Sequence, residues 1–242
     1  MLIPSIDLMG GKIVQLIQGK KKALEFDNFE EWIERFSSYP VVQLIDLDAA
    51  IGSGDNRNIM QQFLRRLPCQ VGGGIRSIET ARQILDLGAR RVILGSSLIC
   101  DGQINTGFAE RIADALRINK LIFAVDAMKG KVAIRGWREL ISISPVEMVQ
   151  SLEQWCDAFL YTHIDTEGMM TGIPKEIVQS LRNVTSKQLI VAGGISTNDE
   201  IEELERMGAD SVVGMALYLG KLNIEAAQKP GWKLPNARRF LA

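Results

Sequence analysis

Histidine and cysteine are scarce in this chain: one histidine and three cysteines stand among 242 residues. Cys69, Cys100 and Cys156 are widely spaced, odd in number and form no CxxC pair, which argues against a disulfide framework and a zinc site. His163 belongs to no cluster with ligand spacing, so no metal is expected. Charge of one sign is also lacking. The formal net charge is -1 and acidic and basic residues are interspersed, so the chain has no broad field for nucleic acid or an anionic membrane, and neither is an expected partner. Any anion must be held locally. No run approaches the roughly 18 apolar residues of a membrane span. The opening MLIPSIDLMGGK meets Pro4 and Asp7 early, so no signal peptide is expected there and the expected setting is a reducing cytoplasm.

What is present is a regular alternation. Hydrophobic residues make up 46% of the chain, enough for a large core. Short β-branched runs fall at Leu2 to Ile6, Val41 to Ile45, Cys69 to Val71, Arg91 to Leu94, Leu121 to Val125, Ala158 to Thr162, Gln188 to Val191 and Ser211 to Val213. Most lack polar alternation, as strands covered on both faces do. Helical patterns lie between them, at Phe29 to Ser37, Asn58 to Arg66, Ile78 to Leu87, Gly107 to Leu116, Pro145 to Leu152, Lys175 to Leu181 and Asn198 to Met207. Ser77, Ser144 before Pro145, and Thr197 or Asn198 supply start signals, and Gly88 and Gly208 supply stops. Eight βα units in this length predict an α/β fold, a closed (β/α)8 TIM barrel.

The chain also repeats itself with a period of about 119 residues. SIDLMGGKIV, with Asp7, returns as AVDAMKGKVA, with Asp126, and the segment from Gln70 to Leu98 returns between Val191 and Leu217. No linker separates the halves. The expectation is one domain, 1–242, built of half-barrel repeats 1–118 and 119–242 that face each other across a pseudo-twofold axis.

Glycine-rich turns mark two candidate phosphate sites. Gly72, Gly73 and Gly74 follow the third strand, and Gly95, Ser96 and Ser97 follow the fourth; Gly193 and Gly194 follow the seventh, and Gly214 and Met215 the eighth. Glycine lets backbone N–H groups approach an anion at the start of a short helix, and barrels commonly bind phosphate after strands seven and eight. Two such sites imply a ligand phosphorylated at both ends, although any one pair alone is also a tight turn. Arg76 could add a charge-assisted contact or be a solvated arginine at a helix start. Asp7 and Asp126 end strands one and five at the barrel mouth, where they can divide the roles of proton acceptor and donor. YTHIDTEG after strand six adds Thr162, Asp165 and Glu167; alternation points His163 outward to a structural role. Met169 and Met170 read as apolar packing for a substrate or lid, and Trp137 could stack on a planar ligand.

At these residues the chain resembles the phosphoribosylformimino-aminoimidazole carboxamide ribotide isomerases of histidine biosynthesis. The matching pieces are IPSIDLMGGKIVQLIQG, LIDLDAA, QVGGGIR, RVILGSSL, VDAMKGKVAIRGW, YTHIDTEGMMTG, AGGIS and GMALYLG. Pro4-Ser5-Ile6-Asp7 differs from the cysteine-containing first strand of the related cyclase subunit of imidazole glycerol phosphate synthase. The resemblance implies an Amadori rearrangement of a ribotide carrying two phosphates, without any cofactor. It implies Asp7 as the base at ribose C2, Asp126 as proton donor, Thr162 as its assistant and a further acid at Glu167. Three departures stand out. Gln15 and Thr166 occupy usual arginine positions, and Glu167-Gly168-Met169 stands where Asp-Gly-Thr is usual. These leave open the same chemistry on phosphoribosylanthranilate, or on both substrates, and a phosphosugar-binding barrel without turnover. A monomer is expected. Residues 221–242 could form an eighth helix with a docking tail or a contact with another subunit.

Overall fold

The computed structural model describes residues 1–222 and the backbone of Arg238–Arg239. Eight parallel strands run in chain order: β1 Leu2–Met9, β2 Val42–Asp46, β3 Cys69–Gly72, β4 Arg91–Leu94, β5 Leu121–Met128, β6 Ala158–His163, β7 Gln188–Ala192 and β8 Ala209–Val213. Each pairs with the next, and β8 pairs with β1 through Leu2 and Ser211 and their successors, so the sheet closes into a (β/α)8 barrel. Closure leaves the barrel without a free edge. Among the described residues, seven helices cover it: α1 Phe29–Phe36, α2 Arg57–Leu64, α3 Ile78–Asp86, α4 Thr106–Leu116, α5 Pro145–Leu152, α6 Lys175–Arg182 and α7 Asn198–Arg206. The expected caps are in place. The Ser77 and Ser144 hydroxyls accept from Thr80 N–H and Glu147 N–H, while Thr197 and Glu200 form a reciprocal capping box.

Strand alternation separates two apolar layers. Outward residues such as Ile6, Leu44, Phe123 and Phe159 pack against the helices, and inward residues such as Ile3, Ile93, Ile122, Leu160 and Ile190 fill the barrel. Beneath the inner layer lies a polar plug. Arg91 donates to Gln188 (2.7 Å) and Gln70 (3.0 Å), Gln70 to Gln43 (3.2 Å), and Gln188 to Asp210 (2.6 Å). The inward groups above that layer belong to the mouth.

The mouth holds elements that the eight-run pattern does not predict. β1 and β5 continue past Ile6 and Val125, and each turns into antiparallel structure, at Lys12–Ile17 with Lys21–Phe26 and at Lys131–Ile134 with Glu139–Leu140. Asp7 and Asp126 therefore sit within strands, Asp7 paired on two sides with Val14 and Ile45 and Asp126 paired with Thr162. Short helices also start at Leu47 and Met215. The Arg238–Arg239 backbone adds to Lys21–Phe26; Lys229, Pro230, Gly231 and Trp232, and with them the reading of the tail, lie outside the described residues.

Candidate active site

Inward alternation places Ser5 and Asp7 of β1, Asp126 of β5 and Thr162 of β6 at the top of the barrel, lining one cleft. The two glycine-rich regions line the same cleft: Gly73, Gly74, Gly95 and Ser96 come from the first half, and Gly193, Gly194, Gly214 and Met215 from the second. Arg76, Trp137 and Glu167 also line it. The structure thus gathers these residues in one cleft, while Asp165 and Met169 do not line it.

The glycines have a steric reason besides ligand approach. A side chain at Gly73 (φ +103°) would run into the Asp46 carbonyl, and one at Gly193 (φ +121°) into the His163 carbonyl. These are equivalent turns of the two halves, each folded hard against the preceding βα loop. Gly95 and Gly214 precede the short helices Ser96–Leu98 and Met215–Tyr218, so backbone N–H groups start there in both halves. The Ser96 hydroxyl accepts from Arg135 N–H (2.9 Å), and Arg76 donates to the Ala50 carbonyl (2.7 Å) while remaining exposed at the rim.

The carboxyl groups differ in their surroundings. Burial pushes Asp7 up to about 6 against the Ser5 hydroxyl, which donates to its Oδ1 at 3.1 Å. Asp126 is also raised by burial, and is opposed by the Trp137 indole, which donates to Oδ2 at 2.8 Å, and by Thr162. Glu167 is pushed up to about 8, first by burial and then by the negative charges of Asp7 and Asp126. Its carboxyl group has no hydrogen-bond partner among the described residues. Like charges at one site cannot all ionise cheaply, and the group without donors is the one kept protonated.

Residues that the sequence reading left without a role hold the loop carrying Glu167. Gln18 donates its backbone N–H to the Glu167 carbonyl (3.0 Å) and its side-chain amide to the Asp165 carbonyl (2.9 Å), while Lys129 N–H donates to the Asp165 carboxylate (2.8 Å). The turns after β1 and β5 thus bracket the loop after β6. Asp46 and Asn56 brace the opposite side: Asp46 accepts from Asn56 N–H (2.7 Å) and its side-chain amide (2.8 Å), and Asn56 accepts from Gly11 N–H (3.0 Å). The sequence signal for Asp46 was only the piece LIDLDAA, and Asn56 lay in no such piece. Ser5 carried a clearer one, two residues before Asp7 on the same face of a strand.

Some expectations shift. Met170 lines the cleft, but Met169 is exposed at 47% and lies outside it, so it does not pack on a ligand in this conformation. Gln15 is buried beside Gly214, held by its own amide donating to the Val14 carbonyl (2.9 Å). Thr166 donates to the Gly193 carbonyl (3.0 Å). Neither usual arginine position brings a cation to the glycine turns of the second half. His163 points away from the cleft and shares a hydrogen with the Tyr161 hydroxyl (2.9 Å).

Residues 1–223 match the family described as "Histidine biosynthesis protein". The chain belongs to this family. Its relatives include proteins named as 1-(5-phosphoribosyl)-5-((5-phosphoribosylamino)methylideneamino)imidazole-4-carboxamide isomerase. That of Methanocaldococcus jannaschii is 36% identical over 233 residues, covering 93% of this chain and 97% of that protein. That of Archaeoglobus fulgidus is 36% identical over 240 residues, covering 94% and 96%. These relatives, named as isomerases, match this chain over the length that carries the cleft.

Proposed function

We propose that this chain isomerises the two-phosphate aminoimidazole carboxamide ribotide named for its relatives, an aldose-to-ketose Amadori rearrangement, with the cleft residues in the following roles. The observation that carries this reading is the set of three unequal carboxyl groups between two glycine-flanked N–H turns. The turns of the two halves take the two phosphates, one at each end of the ligand, with Arg76 at the first. Trp137, its nitrogen tied to Asp126, presents a ring to the planar imidazole.

Glu167, protonated near neutral pH, donates to the ribose ring oxygen as the C1–O bond breaks, leaving the electron pair on that oxygen and an iminium between C1 and nitrogen. Asp7, ionised, takes the proton from C2, and the electrons of the C2–H bond neutralise the iminium to give an enaminol. The C2 hydroxyl then loses its proton, C1 gains one, and the aminoketose results. Asp126, steadied by Trp137 and Thr162, provides the second carboxylate for these later transfers. No redox change leaves the substrate, so the balance calls for no external electron acceptor.

Phosphoribosylanthranilate, with one phosphate, would leave one turn unused, and the naming of the relatives does not favour it. The chain is read as one domain of half-barrel repeats 1–118 and 119–242. The test is turnover of purified protein with each ribotide in turn. Conversion of the two-phosphate substrate supports the proposal; binding of it without conversion, or conversion of phosphoribosylanthranilate alone, refutes it.

A further inference from the structure

The internal repeat offers a control inside the molecule. Asp7 and Asp126 are equivalent positions, yet their carboxylates are anchored by different means. Asp126 is held from outside its own strand, by Trp137 and Thr162, and the residue two before it is Ala124, which has no donor. Asp7 is held from its own strand, by the residue that replaces that alanine. The Ser5 hydroxyl donates to Asp7 Oδ1 at 3.1 Å, and among the described residues it is the one hydrogen-bond donor to that carboxylate.

Ser5 is itself fixed. It is 6% exposed, and its carbonyl accepts from the Tyr218 hydroxyl at 3.1 Å. Tyr218 is fully buried, packed on Phe26, Trp32 and Phe36, and ends the short helix that begins at the Gly214 turn. A continuous path therefore runs from the second phosphate turn, through Tyr218 and the backbone of Ser5, to one oxygen of Asp7.

We propose that Ser5 is a positioning residue for Asp7: its hydroxyl ties down Oδ1 so that Oδ2 faces the substrate carbon as the proton-accepting oxygen. The proposal rests on the reading of Asp7 as the base. A carboxylate on a strand can rotate about its terminal bond, and a single fixed donor removes that freedom where no second partner exists. The titratable groups that face Asp7 are Glu167 from the loop after β6 and Tyr218 from the short helix after β8, both coupled to its charge. Neither donates a hydrogen bond to it.

The experiment compares wild type, Ser5→Ala and Asp7→Asn by the pH dependence of kcat/KM and by melting temperature. Alanine stands at the equivalent position of the other half, so Ser5→Ala is expected to fold. Losing the one donor to the ionised carboxylate should move the acidic limb upward by about one pH unit. Free rotation of the base should lower the plateau about fivefold to tenfold, mostly in kcat. A lower plateau with the acidic limb unmoved would indicate a merely structural role and overturn the proposal, as would an unchanged profile. Turnover surviving in Asp7→Asn would instead overturn the reading of Asp7 as base, and the proposal with it.

Discussion

Replacing Glu167 by glutamine removes a cleft acid held protonated near neutral pH, and the consequences can be worked out limb by limb. Asp7 acts ionised, so activity rises as pH passes about 6; Glu167 acts protonated, so activity falls as pH passes about 8. The product of the two fractions is a bell centred near pH 7, with about four fifths of the enzyme in the productive state there. It falls about ninefold by pH 5 and again by pH 9. In Glu167→Gln the plateau should drop by about 100-fold to 10,000-fold and the alkaline limb should vanish, while the acidic limb moves downward or stays. In Asp7→Asn a negative charge that raises Glu167 is gone, so Glu167 should release its proton at lower pH. The assay is kcat/KM between pH 5 and 9.5 for wild type and Glu167→Gln, with carboxyl carbon NMR of Glu167 in Asp7→Asn. An alkaline limb that persists in Glu167→Gln, or a Glu167 titration unmoved in Asp7→Asn, refutes the assignment of the acid.

The remaining predictions concern the scaffold as well as the chemistry. Because Glu167 binds its proton more tightly folded than unfolded, its favourable contribution is full below about 4.5 and is lost as pH rises toward about 8; Glu167→Gln should therefore be more stable than wild type by roughly 4 to 5 kcal/mol at pH 8.5, with the gap closing by pH 4.5 in urea titrations. Trp137→Phe keeps a ring in the cleft but removes the donor to Asp126, and kcat should fall about tenfold with a smaller change in KM. Gly73→Ala sets a side chain against the Asp46 carbonyl at a left-handed φ and should cost about 3 kcal/mol or more by urea denaturation. Asn56→Ala leaves the buried Asp46 carboxylate short of a donor and should cost about 2 kcal/mol, with the mouth loops showing faster amide exchange.

The barrel was legible because its strands are covered on both faces: runs such as LIFAV and AFLYT leave few alternatives once helical periods separate them. Their upper ends were less legible. Past Ile6 and Val125 the chain stays extended, but it passes from a two-sided apolar setting to a half-exposed ladder, as in KIVQLI, where the buried run no longer marks the strand. The repeat located Asp7 and Asp126 because similar strand-and-turn segments recur at a fixed period. It said nothing about Glu167, whose role depends on three carboxyl groups meeting across β1, β5 and the loop after β6. Nor could it find Gln18, Lys129 and Asn56, which act through contacts between loops distant in the chain. Met169 illustrates the same limit, since two adjacent methionines with the same chemistry point one into the cleft and one into solvent.

The central claim is that Asp7 takes the proton from ribose C2. The most direct measurement is turnover of the two-phosphate ribotide carrying deuterium at C2, in wild type and Asp7→Asn. The account predicts a primary isotope effect in wild type, departure of the label from C2 to C1 or solvent, and near-complete loss of conversion in the variant. Conversion by Asp7→Asn at a rate close to that of wild type, or product that retains the label at C2, would contradict it.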